Sequence, residues 1–488
     1  MRRSDRTSES RRRFLQAMGG IASVPVVGAL SEAALGAGPF NDYRALVCVF
    51  FYGGNDAHNM VVPLDARYPV YAANRGPLAL PLSALQATAI SDAVQGPFAL
   101  HPRMTRATAL YGAGKLAVVS NVGVLLRPTT KTDYERNLNL PPQLFSHDDM
   151  QESWATCTPG SLTKEGWGGR FADLLQAATT GPMPIGVATG ASGMFFKGFQ
   201  TTAQEVAAYR SATVPIVQRI RAWRAGDPVA QTQTVYQSLL AAARTNLLQQ
   251  QYGEMAARAV AANDFVLGAL YNGPDSAGRY TERYPLGTAF PAGNPLAAQL
   301  RSVAILIAAR QALGVKRQIF FVFVGGSFDT HSDQFDATYS PVKPGPNDPT
   351  ILFGTHADLL SQVDLAVQSF YDATVELGVA NAVTTFTASD FGRTFTSNGK
   401  GSDHGWGSHH MVIGGAVNGG RLYGTFHNAQ LGVANPVDAG QGRLIPDFGV
   451  EQYAATLAKW FGATGSDLGI VFPNLKNFGS ADLGFMAA

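Results

Sequence analysis

Acidic and histidine side chains follow several apolar runs that lie far apart in the sequence. Carboxylate oxygens and imidazole nitrogens together suit zinc, manganese or iron. In a two-metal hydrolase, one ion lowers the pKa of a hydroxyl or water and the other steadies the leaving oxygen. The pattern predicts one or two divalent ions, zinc or manganese foremost, held by Asp56, Asp329, His331, Asp390, Asp403, His404 and one of His409 and His410, with His409 favoured. Adjacent strand residues face opposite ways, so only one of the last two histidines can reach the site.

A candidate nucleophile precedes a predicted helix over residues 150–156. Ser146 and Asp149 have the spacing of a helix capping box, which gives Ser146 a structural interpretation. The functional interpretation is that Ser146 attacks a phosphoryl or sulfuryl centre, where a helix N-terminus favours the anion. Its neighbour His147 is a candidate base, metal ligand or substrate contact.

Each candidate ligand also has a structural interpretation when it is taken alone. Asp56 and Asp329 follow apolar runs into loops and fit turn positions. Asp403 fits a loop hydrogen bond, and Asp390 fits a salt bridge with Arg393. The metal site is therefore predicted from the whole set of residues and from no single member.

The elements that must position these residues are apolar strands that alternate with helices. This alternation predicts an α/β fold, a three-layer sandwich around a mostly parallel sheet. In such sheets, ligands bind at the carboxyl ends of the strands. The predicted strands are 45–51, 115–121, 183–188, 319–324, 383–387 and 410–413, and the predicted helices include 169–178, 296–313, 357–377 and 450–461.

Residues 203–270 form a helix-rich stretch that we interpret as a helical insertion. Apolar side chains at helical spacing share one face there, namely Tyr236, Leu239, Leu240, Ala243 and Leu247. The rest of 38–488 is predicted to form a single domain around the sheet.

Composition excludes several classes of protein. The chain has 488 residues, 46% of them hydrophobic, and a formal net charge of +2 with no basic patch, which argues against nucleic-acid binding. No apolar run after the N-terminus predicts a membrane span. Two cysteines, Cys48 and Cys157, exclude a disulfide framework and leave a single bridge open.

The first 37 residues have the order of a twin-arginine signal peptide. Arg12 and Arg13 precede an uncharged, weakly apolar run over 14–30, and small residues follow at Ser31, Ala33 and Ala37. This order predicts export by the twin-arginine translocase, removal of the leader, and a mature protein in the periplasm or outside the cell.

The chain resembles a large bacterial family of unknown function, DUF1501. The landmarks of the resemblance are the leader and the segments 53–56, 145–147, 328–331, 403–407 and 483–485. That family is grouped with the alkaline phosphatase and sulfatase superfamily, which implies an alkaline phosphatase-like α/β sandwich. The resemblance also implies that Asp56 is a first-strand ligand, that Asp329 and His331 bind one metal, and that Asp403 and His404 bind the other, with His409 or His410 as the last ligand.

The chain departs from the superfamily pattern at three places. Asp329 and His331 have one residue between them where the superfamily usually has three. Ser161 stands where a formylglycine sulfatase needs arginine after Cys157, so that class of sulfatase is not predicted. Asp390 replaces a glutamate that is common in the family.

Three functions remain open from the sequence. The first is an exported metal-dependent hydrolase of phosphate or sulfate esters, acting on an anionic small molecule or polymer. The second is a non-catalytic secreted protein that keeps the fold for binding or assembly, with a protein partner encoded nearby. The third is a metal site that only stabilises the fold.

Overall fold

The computed structural model describes residues 40–162, 164–175, 183–190, 192–217, 247–335, 352–427 and 430–487. The predicted leader and the helical face predicted at residues 236–243 lie outside these ranges. In the part of the chain that is described, no helix is both long enough and apolar enough to cross a bilayer.

Strands form one large central sheet and smaller sheets beside it. In chain order they are β1 (Arg44–Phe51), β2 (Val61–Pro63), β3 (Ala89–Asp92), β4 (Gly96–Leu100), β5 (Leu116–Gly123), β6 (Gly186–Ala188), β7 (Gln204–Glu205), β8 (Tyr271–Asn272), β9 (Thr281–Glu282), β10 (Arg317–Phe323), β11 (Val383–Ser389), β12 (Arg393–Ser397), β13 (Ser402–His404), β14 (Ser408–Gly414), β15 (Arg421–Tyr423) and β16 (Phe448–Gly449). The central sheet has the order β15-β5-β14-β11-β1-β10-β6-β7, and β16 also pairs with β5. Its pairings are parallel, except those that β14 makes with β11 and β5.

Helices pack on both faces of this sheet. Over the described ranges they are α1 (Ala57–Met60), α2 (Tyr68–Arg75), α3 (Leu82–Leu85), α4 (Thr105–Gly112), α5 (Lys131–Glu135), α6 (His147–Thr156), α7 (Trp167–Leu175), α8 (Leu247–Leu270), α9 (Pro295–Ala308), α10 (Thr355–Glu376), α11 (Val450–Phe461) and α12 (Gly465–Val471). Their ends follow local chemistry: the Asn294 side chain caps α9, and Gly462 ends α11 in the left-handed conformation.

Strand β1 shows why helices pack on both faces of the sheet. Its residues are buried along almost the whole strand, and alternate side chains enter two different cores. Val47 and Val49 pack with α9 and α10, whereas Leu46 and Cys48 pack with α7 and α11. A strand that is apolar on both faces is typical of a parallel sheet between two helical layers. The predicted α/β three-layer sandwich with a mostly parallel sheet is confirmed.

The stretch over 203–270 contains both strand and helix. It starts near β7 at the edge of the central sheet and ends in the 24-residue helix α8, while residues 218–246 lie outside the described ranges. Elsewhere, Cys48 and Cys157 are both buried and free, so the single bridge that the sequence left open does not form.

Candidate metal centre

Three parts of the fold meet beyond the carboxyl ends of β1, β10 and β11. The loop after β10 carries Asp329 and His331, strand β13 ends at His404, and α6 begins at His147. We call these four residues the histidine–aspartate cluster. The loop after β1 approaches the cluster closely at Gly53, where φ is 105° and a Cβ atom would lie 2.4 Å from the backbone nitrogen of Asp329. Glycine is therefore required at that position.

The cluster has one carboxylate at its centre, with three imidazole rings around it. The Nε2 atom of His331 lies 3.0 Å and that of His404 3.2 Å from Oδ1 of Asp329. The Nε2 atom of His147 lies 3.6 Å from Oδ2 of the same carboxylate. All three histidines thus direct the same ring nitrogen towards Asp329.

The opposite nitrogen of each ring has its own hydrogen-bond partner. The Nδ1 atom of His147 lies 2.7 Å from Asp390 Oδ2, and that of His331 lies 3.0 Å from Asp403 Oδ1. The Nδ1 atom of His404 lies 2.7 Å from the carbonyl oxygen of Phe145. A metal-binding histidine usually donates its second N–H to a carboxylate or a backbone carbonyl, which fixes the tautomer and orients the ring.

The donor set fits a metal ion of the kind predicted from the sequence. One ligand atom from each of His147, Asp329 and His404 lies within 4.8 Å of the others, and the described residues contain no other such group of three. Two donors about 2.0–2.1 Å from a tetrahedral zinc ion lie roughly 3.3 Å apart. The separations of 3.2 and 3.6 Å between these histidines and Asp329 are close to that spacing.

A buried arginine holds the central carboxylate in its ionised form. Arg393 Nη1 donates to Asp329 Oδ1 at 2.6 Å and to the carbonyl oxygen of Gly53 at 3.1 Å. Burial alone would favour the neutral acid, but the hydrogen bond and charge of Arg393, aided by His331 and His147, lower the pKa of Asp329. Ionised carboxylate is the form that binds a metal.

The histidines differ in their protonation equilibria. The hydrogen bond to Asp390 raises the pKa of His147 against the effect of burial. For His404, burial lowers the pKa and favours the neutral ring, in which Nε2 can offer a lone pair when Nδ1 carries the proton. The cluster is open to solvent, since its side chains are between 23% and 39% exposed. Solvent can therefore reach it.

Asp390 and Asp403 support the cluster through its histidines, Asp390 from a buried position and Asp403 from a partly exposed one. Asp390 Oδ2 also accepts from the side chain of Gln151 at 2.9 Å and from the backbone of Gly53 at 3.2 Å, while its Oδ1 is buried with no partner among the described residues. Asp403 Oδ1 also accepts from Asn398 at 2.9 Å. Both residues belong to the same assembly as the cluster, as histidine partners.

Asp56 lies outside the cluster. Its carboxylate is fully buried and is paired with the guanidinium of Arg75, which is also fully buried. The side chain of Gln334 donates to the same Asp56 oxygen. The structure thus gives Asp56 a role in a buried ion pair.

The two adjacent histidines lie outside the cluster as well. His409 Nδ1 accepts a hydrogen bond of 3.0 Å from the backbone of Asn121. His410 is buried against Trp154 and Tyr453, with ring centroids 5.1 and 5.7 Å away. They face opposite sides of the sheet, as adjacent strand residues must.

Ser146 sits beside the cluster as the residue that precedes α6. Its hydroxyl donates to Asp149 Oδ2 at 2.6 Å, and it accepts no helix N–H. The pairing of Ser146 with Asp149 that the capping pattern indicates is present, although the side chains contact one another directly.

Some contributors to the site were not predicted. The sequence offered Arg393 as a partner of Asp390, but its guanidinium binds Asp329 instead. The carbonyl of Phe145 and the side chain of Gln151 had no recognisable signal, because a backbone acceptor and a helix glutamine occur everywhere. A helix that starts at His147 predicts that Gln151, four residues on, faces the same way, and this was the one available clue.

The fold and the cluster together define an α/β sandwich protein with a candidate metal centre at the carboxyl edge of its sheet. The family model described as "Protein of unknown function (DUF1501)" matches residues 43–441. The chain belongs to the DUF1501 family, as its sequence landmarks predict. No curated protein matches the sequence.

The chain is also similar to solved structures of the alkaline phosphatase superfamily. A protein of that superfamily from Vibrio parahaemolyticus has 10% identity and a TM-score of 0.34, with 88% of this chain and 68% of that chain covered. The sulfatase PsFucS1 from Pseudoalteromonas sp. has 10% identity and a TM-score of 0.34, with coverage of 94% and 74%. A mutant of the alkaline phosphatase PafA has 10% identity and a TM-score of 0.29, with coverage of 73% and 64%.

Proposed function

We propose that this protein is an exported, metal-dependent hydrolase of phosphate or sulfate esters. The observation that carries the proposal is the convergence of three histidine Nε2 atoms on the Asp329 carboxylate. Each of those histidines has its Nδ1 atom held by a separate partner. This arrangement suits a bound ion. When the Nδ1 atom of each ring carries the proton, the lone pair of its Nε2 atom faces the centre of the cluster and can coordinate the ion.

The ligands of the proposed ion are His147, Asp329 and His404, and His331 lies against the same carboxylate. The geometry supports one ion, zinc or manganese, rather than two. When bound, the ion supplies the positive charge that lowers the pKa of an attacking hydroxyl or water and stabilises an anionic ester. Three protein ligands support a catalytic site over one that only stabilises the fold, because catalytic zinc sites keep a fourth position open for water or substrate, whereas structural sites fill it with protein.

The chain's own residues would bind and orient the substrate. The first turn of α6 lies at the cluster, so its free backbone N–H groups favour an anionic group there. We assign Ser146 as the nucleophile, since it directly precedes the proposed ligand His147 and its proton already points to the Asp149 carboxylate. Asp390 holds the proton of His147 on Nδ1 and keeps Nε2 turned towards the cluster.

The proposal is tested by the metal content of the full chain after purification without chelator. Wild-type protein is expected to hold about one equivalent of zinc or manganese, and His147→Gln and His404→Gln are expected to lose it. His427→Gln is the matched control, because His427 is a half-buried histidine that bonds Asp447 outside the cluster. A metal-free wild type that takes up neither ion on titration would refute the proposal.

A non-catalytic binding or assembly protein is the second candidate. The observation in its favour is that the Ser146 hydroxyl is engaged by Asp149 and not by a histidine of the cluster. Metal-loaded protein that hydrolyses neither 4-nitrophenyl phosphate nor 4-nitrophenyl sulfate would favour this candidate. A protein partner encoded nearby belongs to the same proposal.

Export through the twin-arginine translocase is part of the proposed function. Its support is the order of the paired arginines, the apolar run and the small residues in the first 37 positions. Replacing Arg12 and Arg13 by lysine is expected to keep the full-length chain in the cytoplasm. Unchanged delivery to the periplasm or medium would contradict this part.

A further inference from the structure

An aromatic cavity adjoins the cluster and has no part in the proposed metal binding. Its volume is about 200 Å³, and it lies between α6, α7 and the central sheet. Aromatic side chains form much of its wall, namely Phe50, Tyr52, Trp154, Trp167, Phe195, Phe321, Phe386 and Tyr453. A dry cavity of about 150 Å³ is enough to bind benzene, so this volume accommodates one substituted ring.

The cavity and the cluster share part of their walls. Gln151 lines the cavity, and its amide donates to Asp390, the partner of His147. Ala388 also lines the cavity and stands two residues before Asp390 on the same chain segment. Tyr52 lines it too and directly precedes Gly53, whose N–H donates to Asp390. A molecule with one end in the cavity can thus place its other end near the cluster.

The lining indicates an uncharged ligand. Among the described residues of the wall there is no lysine, arginine or histidine, and the charged members are Asp148 and Glu152. Asp148 is exposed and marks the open end. The inner thiol of Cys48 is neutral, because burial raises its pKa. An anionic group has no partner inside the cavity.

One polar group in the wall has no partner. The indole N–H of Trp154 is buried and has no acceptor among the described residues. The ring of His410 is 5.1 Å away, yet its Nε2 atom also has no partner there. A buried donor without an acceptor is unfavourable, but this N–H is closed off from the cavity and offers no contact to a ligand there.

We propose that this cavity binds a neutral aromatic ring. A second step rests on the proposed function: this ring is the leaving alcohol of an ester held at the cluster. The substrate class is then an aryl ester, with its anionic group at the cluster and its ring in the cavity.

Binding of two small probes to the full chain tests the cavity directly. The probes are 4-methylphenol, which has an acceptor oxygen, and toluene, which has none, and binding is measured by isothermal titration calorimetry. Both are expected to bind the wild type. Trp154→Phe removes part of the aromatic wall and is expected to weaken both probes to a similar degree.

A second variant fills the cavity. Ala155→Phe places a ring in the cavity from the half-buried face of α6 and is expected to abolish binding of both probes. The matched control Ala73→Phe makes the same change at an exposed position of α2, and it is expected to keep binding. Failure of the wild type to bind either probe, or full binding of both by Ala155→Phe, would overturn the proposal.

The same protein separates this proposal from the proposed function. Probe binding needs no metal, so it is expected to persist after treatment with chelator. The activity of the cluster is tested separately, by the hydrolysis of methyl phosphate, 4-methylphenyl phosphate and the two corresponding sulfates. Hydrolysis without probe binding would overturn the proposed ligand of the cavity and leave the proposed hydrolase standing. Probe binding without hydrolysis would support the ligand of the cavity and count against the hydrolase.

Discussion

The Nδ1 atom of His147 lies 2.7 Å from Oδ2 of Asp390, although the two residues are 243 positions apart in the sequence. Asp390 is fully buried, whereas the histidine ring is partly open to solvent. The carboxylate therefore contacts the cluster through the His147 ring, and its other hydrogen bonds come from Gln151 and the backbone of Gly53. Its contribution can be separated from that of a direct ligand.

Asp390→Asn is expected to keep the shape of the site and lower zinc affinity by about 10- to 100-fold, the usual effect of removing such a partner. Without the negative charge of Asp390, the His147 ring is a weaker ligand for the ion. Zinc affinity is measured by competition with a chromogenic chelator. The control is Asp447→Asn, which alters a histidine–aspartate pair of equal 2.7 Å length at His427. Equal losses in both variants would contradict the assignment.

Asp56→Asn is expected to destabilise the protein while metal content stays unchanged. The variant leaves the fully buried Arg75 without its counter-ion, a change that typically costs about 3–5 kcal/mol. Urea denaturation measures the loss in the free energy of unfolding. Asp65→Asn disrupts the more exposed pair with Arg67 and is expected to cost about 1 kcal/mol or less. Loss of the metal in Asp56→Asn would instead make Asp56 a ligand.

Ser146→Ala tests the nucleophile. If Ser146 attacks the ester, the variant is expected to lose about a thousandfold or more in turnover, as expected for loss of a nucleophile. Metal content is expected to stay as in the wild type, since Ser146 contacts Asp149 and none of the ligands. Steady-state rates and elemental analysis are measured on the same sample. Retained turnover would assign the attack to water and leave Ser146 with Asp149 as a structural pair.

Glu451 predicts a pH dependence of stability away from the site. Burial raises the pKa of Glu451 to about 7, although Asn474 donates to its Oε1 atom at 2.8 Å. A raised folded-state pKa means that the folded chain holds a proton that the unfolded chain has released. The resulting stabilisation is fully present below pH 4.5, the pKa of Glu451 in the unfolded chain, and it is lost as pH rises through about 7.

Glu451→Gln removes this dependence. The variant is expected to gain up to roughly 3 kcal/mol relative to the wild type between pH 4.5 and pH 8. Urea denaturation at both pH values measures the difference. Glu205→Gln, at an exposed strand position, is expected to follow the wild type. A wild type and a Glu451→Gln variant with parallel pH profiles would show that Glu451 is ionised in the folded state.

Much of the fold was predictable because local pattern and buried position agree. The apolar run before Gly53 is a strand that faces two cores, so it carries no alternation and was recognised by its length and glycine stop. The helix over Val450–Phe461 was recognised from its apolar face and from the glycine after it. Such features depend on neighbours within one turn or one strand, which the sequence displays directly.

The candidate site was predictable in part of its membership and not in its partners. Asp329, His331 and His404 were selected because they follow strands, and the structure brings them together. Asp56 met the same criterion, yet its surroundings include Arg75 from α2 and Gln334 from a distant loop. A position at a strand end is visible in the sequence, whereas the charge that a remote residue places beside it is not.

The distances along the chain between the members of the cluster have a consequence for the order of events during synthesis. The ligand His147 is ready early, but His404 arrives 257 residues later. Closing so long a loop comes late in folding, after the sheet between these residues has formed. If the cluster binds the proposed ion, its capture would therefore be a final step. A bound ion would mark a chain that is complete through β13, and shorter nascent chains would remain empty.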